Sequence, residues 1–325
     1  MNALPSTLVY YPDNRPGITR KRAGRGFSYI APDGTRIDDQ TERKRLAALA
    51  VPPAYRKVWI CPKKNGHLQA TGWDERERKQ YRYHPDWTAF RSETKFQGLA
   101  DFGRALPRIR ARYLRALNGE AGEQAFAVAA VVAMIDRLSI RIGHPEYAEE
   151  NGTYGATTLK TRHMRLKDDD LRLTYQAKGA KKVTRHVKCK TLLRTLQRLH
   201  DLPGAELVKW VDDDGDARSV TSGQVNAWLA EAAGDGMTAK TFRTWNGSVA
   251  ALEAARLAET ITIKTMSEAA AERLANTPTI ARNSYIHPAV IDLSENPDAL
   301  PASPSEVRGL RADERRLLDL LDRWA

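Results

Sequence analysis

The sequence predicts an α+β protein in two parts. A small β-rich N-terminal domain occupies residues 1–90, and a larger, mostly α domain with a small antiparallel hairpin occupies 91–325. Three observations predict this. Short runs of β-branched and aromatic residues, separated by Gly, Pro and Asp turns, make up the first part. Beyond it, apolar residues recur at helical spacing instead. A chain of 325 residues is long enough for two domains with cores of their own.

The elements follow in order. "GRGFSYIAPDGTRI" is two short runs around an Asp33–Gly34 turn, a hairpin signal. "TERKRLAALAVP" reads as a short helix stopped by Pro52 and Pro53. "KVWICP", "GHLQATGW" and the aromatic, basic "RKQYRYHPDW" are strand candidates. "FGRALPRIRARYLRAL" has helical spacing interrupted by Pro107, and residues 121–142 form a long buried helix. "LRLTYQAKGAKKVTRHVK" alternates, turns at Lys178–Gly179 and alternates again, so it predicts a hairpin with Lys178 near its tip. "ELVKWVDDDGDARSV" predicts a second strand pair around an acidic turn, and "TSGQVNAWLAEAAG" and "TAKTFRTWNGSVAALEAARLAE" predict helices. The last stretch starts with a capping box: Ser303 is the cap, Pro304 the first helical residue and Glu306 the third. Leu310, Leu317, Leu321 and Trp324 then line one apolar face.

Lys and Arg outnumber Asp and Glu by 52 to 40, a net charge of +12. That balance points to a polyanionic partner, nucleic acid before anionic membrane. "AFAVAAVVAMI" is too short to span a bilayer, and the N-terminus has no basic n-region followed by a long apolar stretch. Cys61 and Cys189 are far apart and give neither a disulfide framework nor metal-ligand spacing, as suits a reducing cytosol. The run Asp212–Asp216 is not a calcium loop, since the twelfth position from Asp212 is Gly223 rather than glutamate.

Candidate functional residues are cations and one phenol. Arg141 closes the buried helix in "LSIRIGHPEYA", where an unpaired charge is costly. Lys178 stands at the hairpin tip, and Arg243 lies among the aromatics of "AKTFRTWNGS". Arg78, Lys79, Gln80 and Arg82 interleave with Tyr81 and Tyr83, a common nucleic-acid surface. Each also has a plain structural reading: a helix-end arginine, a solvated turn lysine, an arginine stacked on rings, an exposed strand. In "NTPTIARNSYIHP", Tyr285 is either a half-buried packing residue or a nucleophile. A phenol of ordinary pKa ~10 attacks at neutral pH only where cations or donors stabilise its oxyanion.

The series Arg141, Lys178, Arg243, Asn276, Tyr285 resembles that of the type IB DNA topoisomerases, in particular the bacterial, poxvirus-like branch. Their catalytic domain also resembles that of tyrosine recombinases. "IRIGHPEYAEENGTYGATTLK", "TAKTFRTWNGS" and "NTPTIARNSYIHP" resemble the segments around the family's two arginines and its tyrosine, and "GHLQATGWDERERKQYRYHPDW" resembles the branch's first domain. Asn276 stands where poxvirus enzymes have histidine, and Lys240 where recombinases have histidine.

The resemblance implies that Tyr285 attacks a DNA phosphodiester, becomes joined to the 3′ phosphate and releases a 5′ hydroxyl. Arg141 and Arg243 would bind the nonbridging oxygens, Asn276 would add a neutral donor, and Lys178 would protonate the leaving oxygen, with Lys181 and Lys182 as nearby alternatives. It further implies a monomer that clamps duplex DNA between its domains and relaxes supercoils without nucleotide or metal, in the bacterial cytoplasm at the nucleoid. A site-specific recombinase would use similar chemistry, but the strand-rich first part argues against it. The intact five-residue set argues against a catalytically silent DNA-binding protein.

Overall fold

The structure is a computed structural model that describes residues 5–24, 26–75, 77–167, 170–302 and 306–324. The chain divides into two compact units, Met1–Gln97 and Gly98–Ala325.

The first unit is built on a five-stranded antiparallel sheet. Its strands are β1 (Ile18–Ala23), β2 (Gly26–Ile30), β3 (Arg56–Ile60), β4 (Leu68–Trp73) and β5 (Lys79–Tyr83), in the order β2-β1-β3-β4-β5. Helix α1 (Gln40–Ala48) begins where the Asp39 side chain accepts the Glu42 N–H, and it buries Leu46. Leu46 joins Ile18, Tyr29, Val58, Ile60 and Ala70 in the core of this unit. Helix α2 (Pro85–Gln97) closes the unit, so a boundary drawn at residue 90 falls inside it.

The hairpin around Asp33–Gly34 forms but is short, with Ala31 N donating to Thr35 O at 2.8 Å and Ile37 N to Tyr29 O at 2.9 Å. Beyond that turn there is a single bridge, Ile30 to Arg36, and β2 pairs along its length with β1. The β1 residues "ITRKRA" bury only Ile18, so they carry no alternating signal. The strand is held by its two neighbours and by Arg20. That guanidinium lies 4.1 Å over the Phe27 ring and donates to Val51 O, Pro52 O and Tyr55 O.

The second unit is mostly helical. Helix α3 (Leu99–Ala116) runs through Pro107, because Phe102, Leu106, Ile109 and Tyr113 are all buried along one face and the packing outweighs the lost hydrogen bond. Helix α4 (Gln124–Leu138) is buried almost all round. Then come α5 (Pro145–Asn151) and a three-stranded antiparallel sheet of β6 (Met164–Lys167), β7 (Asp170–Ala177) and β8 (Lys181–Val187). After α6 (Lys190–His200), β9 (Lys209–Val211) and β10 (Ala217–Ser219) pair around the acidic turn. Helices α7 (Ser222–Ala233), α8 (Ala239–Leu257), α9 (Ile263–Leu274), α10 (Pro278–Tyr285), α11 (Pro288–Asp292) and α12 (Ala312–Trp324) complete the unit.

The last helix departs from expectation at both ends. Ser303 and Pro304, the supposed cap, lie outside the described residues, and Glu306 lies ahead of the helix, which starts at Ala312. Gly309 has a φ of +91°, a turn conformation, and Glu314 rather than Glu306 accepts the orphan N–H of Arg311. The buried face is Leu317, Leu318, Leu320 and Leu321, whereas Trp324 is exposed. Among the described residues no helix is long and apolar enough to cross a membrane.

A charged cluster lies in the interior of this unit. Arg110 on α3 donates to both Asp136 oxygens on α4, at 3.0 and 2.9 Å, and to both Glu314 oxygens on α12, at 2.8 and 2.7 Å. Tyr113 Oη also donates to Asp136. Buried charge is costly unless paired and hydrogen-bonded, and here every carboxylate oxygen has a donor. Burial alone would raise the Glu314 carboxyl, but hydrogen bonds from Arg110 and Arg311 override it and hold it at about 2.

Candidate active site

The segment that carries Arg141 is fixed by backbone. Helix α4 ends at Ser139, which takes the left-handed conformation (φ 55°) and turns the chain away. Arg141 therefore stands just past the helix and not within it. Ala156 N and Thr157 N donate to the carbonyls of Arg141 and Ile142, both at 2.8 Å. Gly155 makes this crossing possible: a Cβ there would lie 2.5 Å from Arg141 O and 2.5 Å from Gly143 N.

Arg243, on the second turn of α8, gathers three chain segments. Its Nη1 donates to Ser139 O at 2.5 Å and its Nη2 to Leu274 O at 2.9 Å, and its guanidinium lies 5.1 Å from the centre of the Tyr285 ring. Burial, and then repulsion from Arg141, lowers its pKa to about 10, with the Tyr285 phenol pulling the other way. It is charged at neutral pH and poorly solvated. One turn on, Gly247 lets α10 approach: a Cβ there would meet Tyr285 O at 2.6 Å. Ser248 Oγ donates to Tyr285 O at 3.3 Å and accepts the His287 N–H at 2.9 Å.

Asn276 lies between α9 and α10, after Ala275 in the left-handed conformation. Its Oδ1 accepts from Arg141 Nη2. Arginine has no acceptor, so the carbonyl end of the amide must face it and the amino end is left over. That Nδ2 is buried without a partner, and so are Arg243 Nε and Arg185 Nε. Buried orphan donors are rare in folded proteins. Three of those found among the described residues fall on three neighbouring segments here. Tyr285, the last residue of α10, is half-buried. His287 caps α11, its Nδ1 accepting from Ala289 N, and burial lowers it to about 4, so the imidazole is neutral at pH 7.

The hairpin β7–β8 presents its lysines unequally. Ala177 pairs with Lys181, leaving Lys178, Gly179 and Ala180 as the turn, and Lys178 is exposed at the tip as expected. It is Lys181 whose Nζ reaches the cluster, donating to Asn276 O at 3.3 Å. Sequence reasoning missed two residues near it. Arg185 donates to Arg273 O at 2.8 Å, and Arg273 to Arg137 O at 3.1 Å; burial lowers both guanidinium pKa values. A signal for Arg185 was present. It shares the alternate positions of β8 with Val183 and Val187, both buried, so it is an arginine on the apolar face.

The residues of "RKQYRY" lie in the first unit, at the edge strand β5 and just before it. Tyr81 and Tyr83 stack with ring centres 6.1 Å apart and remain half exposed. Arg82 donates to Ala50 O. Arg78 pairs with Asp74 at 2.7 Å, Lys79 pairs with Asp13 at 2.6 Å, and Gln80 donates to Asp74 at 2.9 Å. Two of the three cations are therefore partly neutralised within the protein. An open cleft of about 400 Å³ is lined by Tyr55, Gln80, Tyr81, Arg82 and Tyr83 among others. Lys240 is exposed on the first turn of α8, one turn ahead of Arg243. Among the described residues there is no group of three or more His, Cys, Asp and Glu placed to hold a metal ion.

Two family profiles match this chain. That of the bacterial DNA topoisomerase IB N-terminal domain covers residues 26–74, and that of the eukaryotic DNA topoisomerase I catalytic core covers residues 84–283, more than half of the chain. The chain is also 25% identical over 296 residues to the DNA topoisomerase 1B of Acanthamoeba polyphaga mimivirus, an alignment that takes in 86% of this chain and 88% of the viral protein.

Proposed function

This chain belongs to the type IB DNA topoisomerases, and from that premise we propose that it relaxes supercoiled duplex DNA by cutting and resealing one strand through Tyr285, without ATP or a divalent metal. The observation that carries the site assignment is Arg243. A single buried guanidinium bridges the segment of Arg141, the segment of Asn276 and the ring of Tyr285.

The chemistry follows from that grouping. The Tyr285 phenol gives its proton to solvent and its oxygen bonds to phosphorus, while the bond from phosphorus to the 5′ oxygen breaks and that oxygen takes a proton from a hairpin lysine. Extra negative charge accumulates on the nonbridging oxygens as this happens. Arg141 and Arg243 answer it with charge-assisted hydrogen bonds, which are the strong kind. The orphan donors Arg243 Nε and Asn276 Nδ2 are supplied with the acceptors they lack. Asn276 cannot carry charge or a proton, so it binds an oxygen and does not act as an acid. The acid is a hairpin lysine, because an alkoxide is a poor leaving group unless it is protonated. We assign it to Lys178, whose exposed tip is free to enter a groove. Lys181 is the rival, favoured by its bond to Asn276 O. One phosphodiester is exchanged for another, so resealing needs no external energy, and the torsion released while the strand is open sets the direction. The protein acts as a monomer on duplex DNA.

The test is relaxation of positively and negatively supercoiled plasmid in EDTA without nucleotide. Wild type is expected to relax both. Tyr285→Phe is expected to bind DNA yet form no covalent adduct. Strict dependence on magnesium or ATP, or an adduct on another tyrosine, overturns the reading.

A further inference from the structure

Lys181, Val183, Arg185 and Val187 share one face of β8. Both polar side chains of that face reach the same short stretch at the end of α9: Arg185 Nη2 to Arg273 O at 2.8 Å, and Lys181 Nζ to Asn276 O at 3.3 Å. That stretch is also the anchor of the two site arginines, since Leu274 O takes Arg243 Nη2 and Asn276 Oδ1 takes Arg141 Nη2. Arg185 forms no ion pair with any carboxylate of the described residues, and its Nε is buried without a partner. Glu272 attracts it from beyond ion-pair distance, and an arginine so placed in a face it shares with buried valines still costs the fold stability. Tertiary packing alone gives no reason for it.

We propose that Arg185 is a positioning residue: through Arg273 O it docks the β7–β8 hairpin onto the segment that carries Asn276, and so sets where the hairpin lysine meets the leaving 5′ oxygen. This rests on a hairpin lysine being the general acid. Arg185 touches no reacting atom in this role. The lysine it serves stands on, or beside, a three-residue turn in which Gly179 and Ala180 both have positive φ, so the turn itself has little to hold it. The nearest fixed point is the β8 face, and Arg185 together with Lys181 fastens that face to the frame shared by Arg141 and Arg243.

The experiment uses two substrates and two readouts on the full chain. One duplex carries the normal scissile phosphate, and the other has sulfur in place of the bridging 5′ oxygen. Sulfur leaves as a thiolate and needs no proton. Arg185→Ala is expected to cleave the normal duplex about 10- to 100-fold more slowly, the scale of one lost charge-assisted hydrogen bond. It is expected to cleave the sulfur duplex within about threefold of wild type, a barrier change too small to signal a lost phosphate contact. Arg185→Lys, which keeps a donor for Arg273 O, is expected to recover most of the rate. Equal slowing of Arg185→Ala on both duplexes overturns the proposal. Lys178→Ala and Lys181→Ala run alongside. If one of them is rescued by sulfur and Arg185→Ala is not, the positioning role fails while the general acid stands. The second readout is amide exchange without DNA. Residues 176–184 are expected to exchange faster in Arg185→Ala while α4 and α8 stay protected, and unchanged exchange overturns the docking. If sulfur rescues neither lysine variant, the general-acid reading falls, and the exchange alone then upholds or overturns the docking.

Discussion

At the scale of the residue, the two ends of the Asn276 amide do different work. The oxygen orients Arg141, and the amino group is a buried donor with nothing to give to. Asn276→Ala removes both and is expected to slow cleavage roughly 10-fold, the effect of one neutral hydrogen bond. Asn276→Asp keeps the bond to Arg141 but places a negative charge beside the phosphate, so single-turnover cleavage should fall further than in the alanine variant. If Asp were the milder change, the amino group would not face the reacting oxygens. His287 makes a different prediction, about pH. Its folded pKa of about 4 lies below the ordinary value of 6.5, so the unfolded chain takes up the proton first. The associated stability, on the order of 3 kcal/mol, is fully present above pH 6.5 and is lost as pH falls towards 4. His287→Asn retains a capping acceptor without titrating, and urea unfolding between pH 7 and 4.5 should show a smaller loss for it than for wild type. At the residue scale the sequence singled out Arg141, Arg243, Asn276 and Tyr285 by their resemblance to a family series, and the fold brings these four together. Arg185 was harder to see. Its meaning depends on what the face of β8 packs against, and that partner lies far along the chain.

At the scale of the element, β5 shows how structure refines a reading of charge. "RKQYRY" promised three cations for phosphate, but Asp74 and Asp13 already hold two of them. Arg82 donates to a carbonyl, Ala50 O, and on the reading proposed above it is the cation of this strand from which counterion release is expected. Arg82→Ala is expected to flatten the dependence of log affinity on log salt by about 0.9, the value for one phosphate contact, and Lys79→Ala by less. Tyr81→Ala should weaken binding with no change of slope, since a ring releases no counterion. An unchanged slope in Arg82→Ala would take this strand out of the interface. The strands and helices with a clear period were legible: α4, α8, β5, and the β7–β8 hairpin down to its turn. Those set by distant contacts were not. β1 is a basic run that becomes a strand because β2 and β3 pair with it, and α3 crosses a proline because its apolar face is already committed on both sides. The start of α12 was misplaced because a capping pattern was present at Ser303 and the glutamate that closes the helix start is a later one, Glu314.

At the scale of the whole molecule, the Arg110 cluster joins three distant stretches of the second unit. Glu314→Gln leaves that arginine with one charged partner and is expected to destabilise the unit by about 3–5 kcal/mol, seen as a lower urea midpoint at pH 7. Because Glu314 titrates at about 2 when folded and near 4.5 when free, its contribution in wild type is present above pH 4.5 and fades as pH falls towards 2. Wild type and variant should therefore converge in that window. A difference that persists to pH 2 would mean the charge is not what matters. The sequence divides the molecule into a strand-rich and a helical part by composition alone. It gives no hint that Arg110, Asp136 and Glu314 meet, because buried ion partners leave no periodic trace. Their meeting has a genetic consequence. Asp136 lies on the helix that leads into Arg141, and its carboxylate is balanced in part by what α12 brings to Arg110. A frameshift or stop codon just upstream of Ala312 would leave every codon from Arg141 to Tyr285 intact and still abolish activity. Null alleles are therefore expected well beyond the Tyr285 codon, as far as the codons of α12.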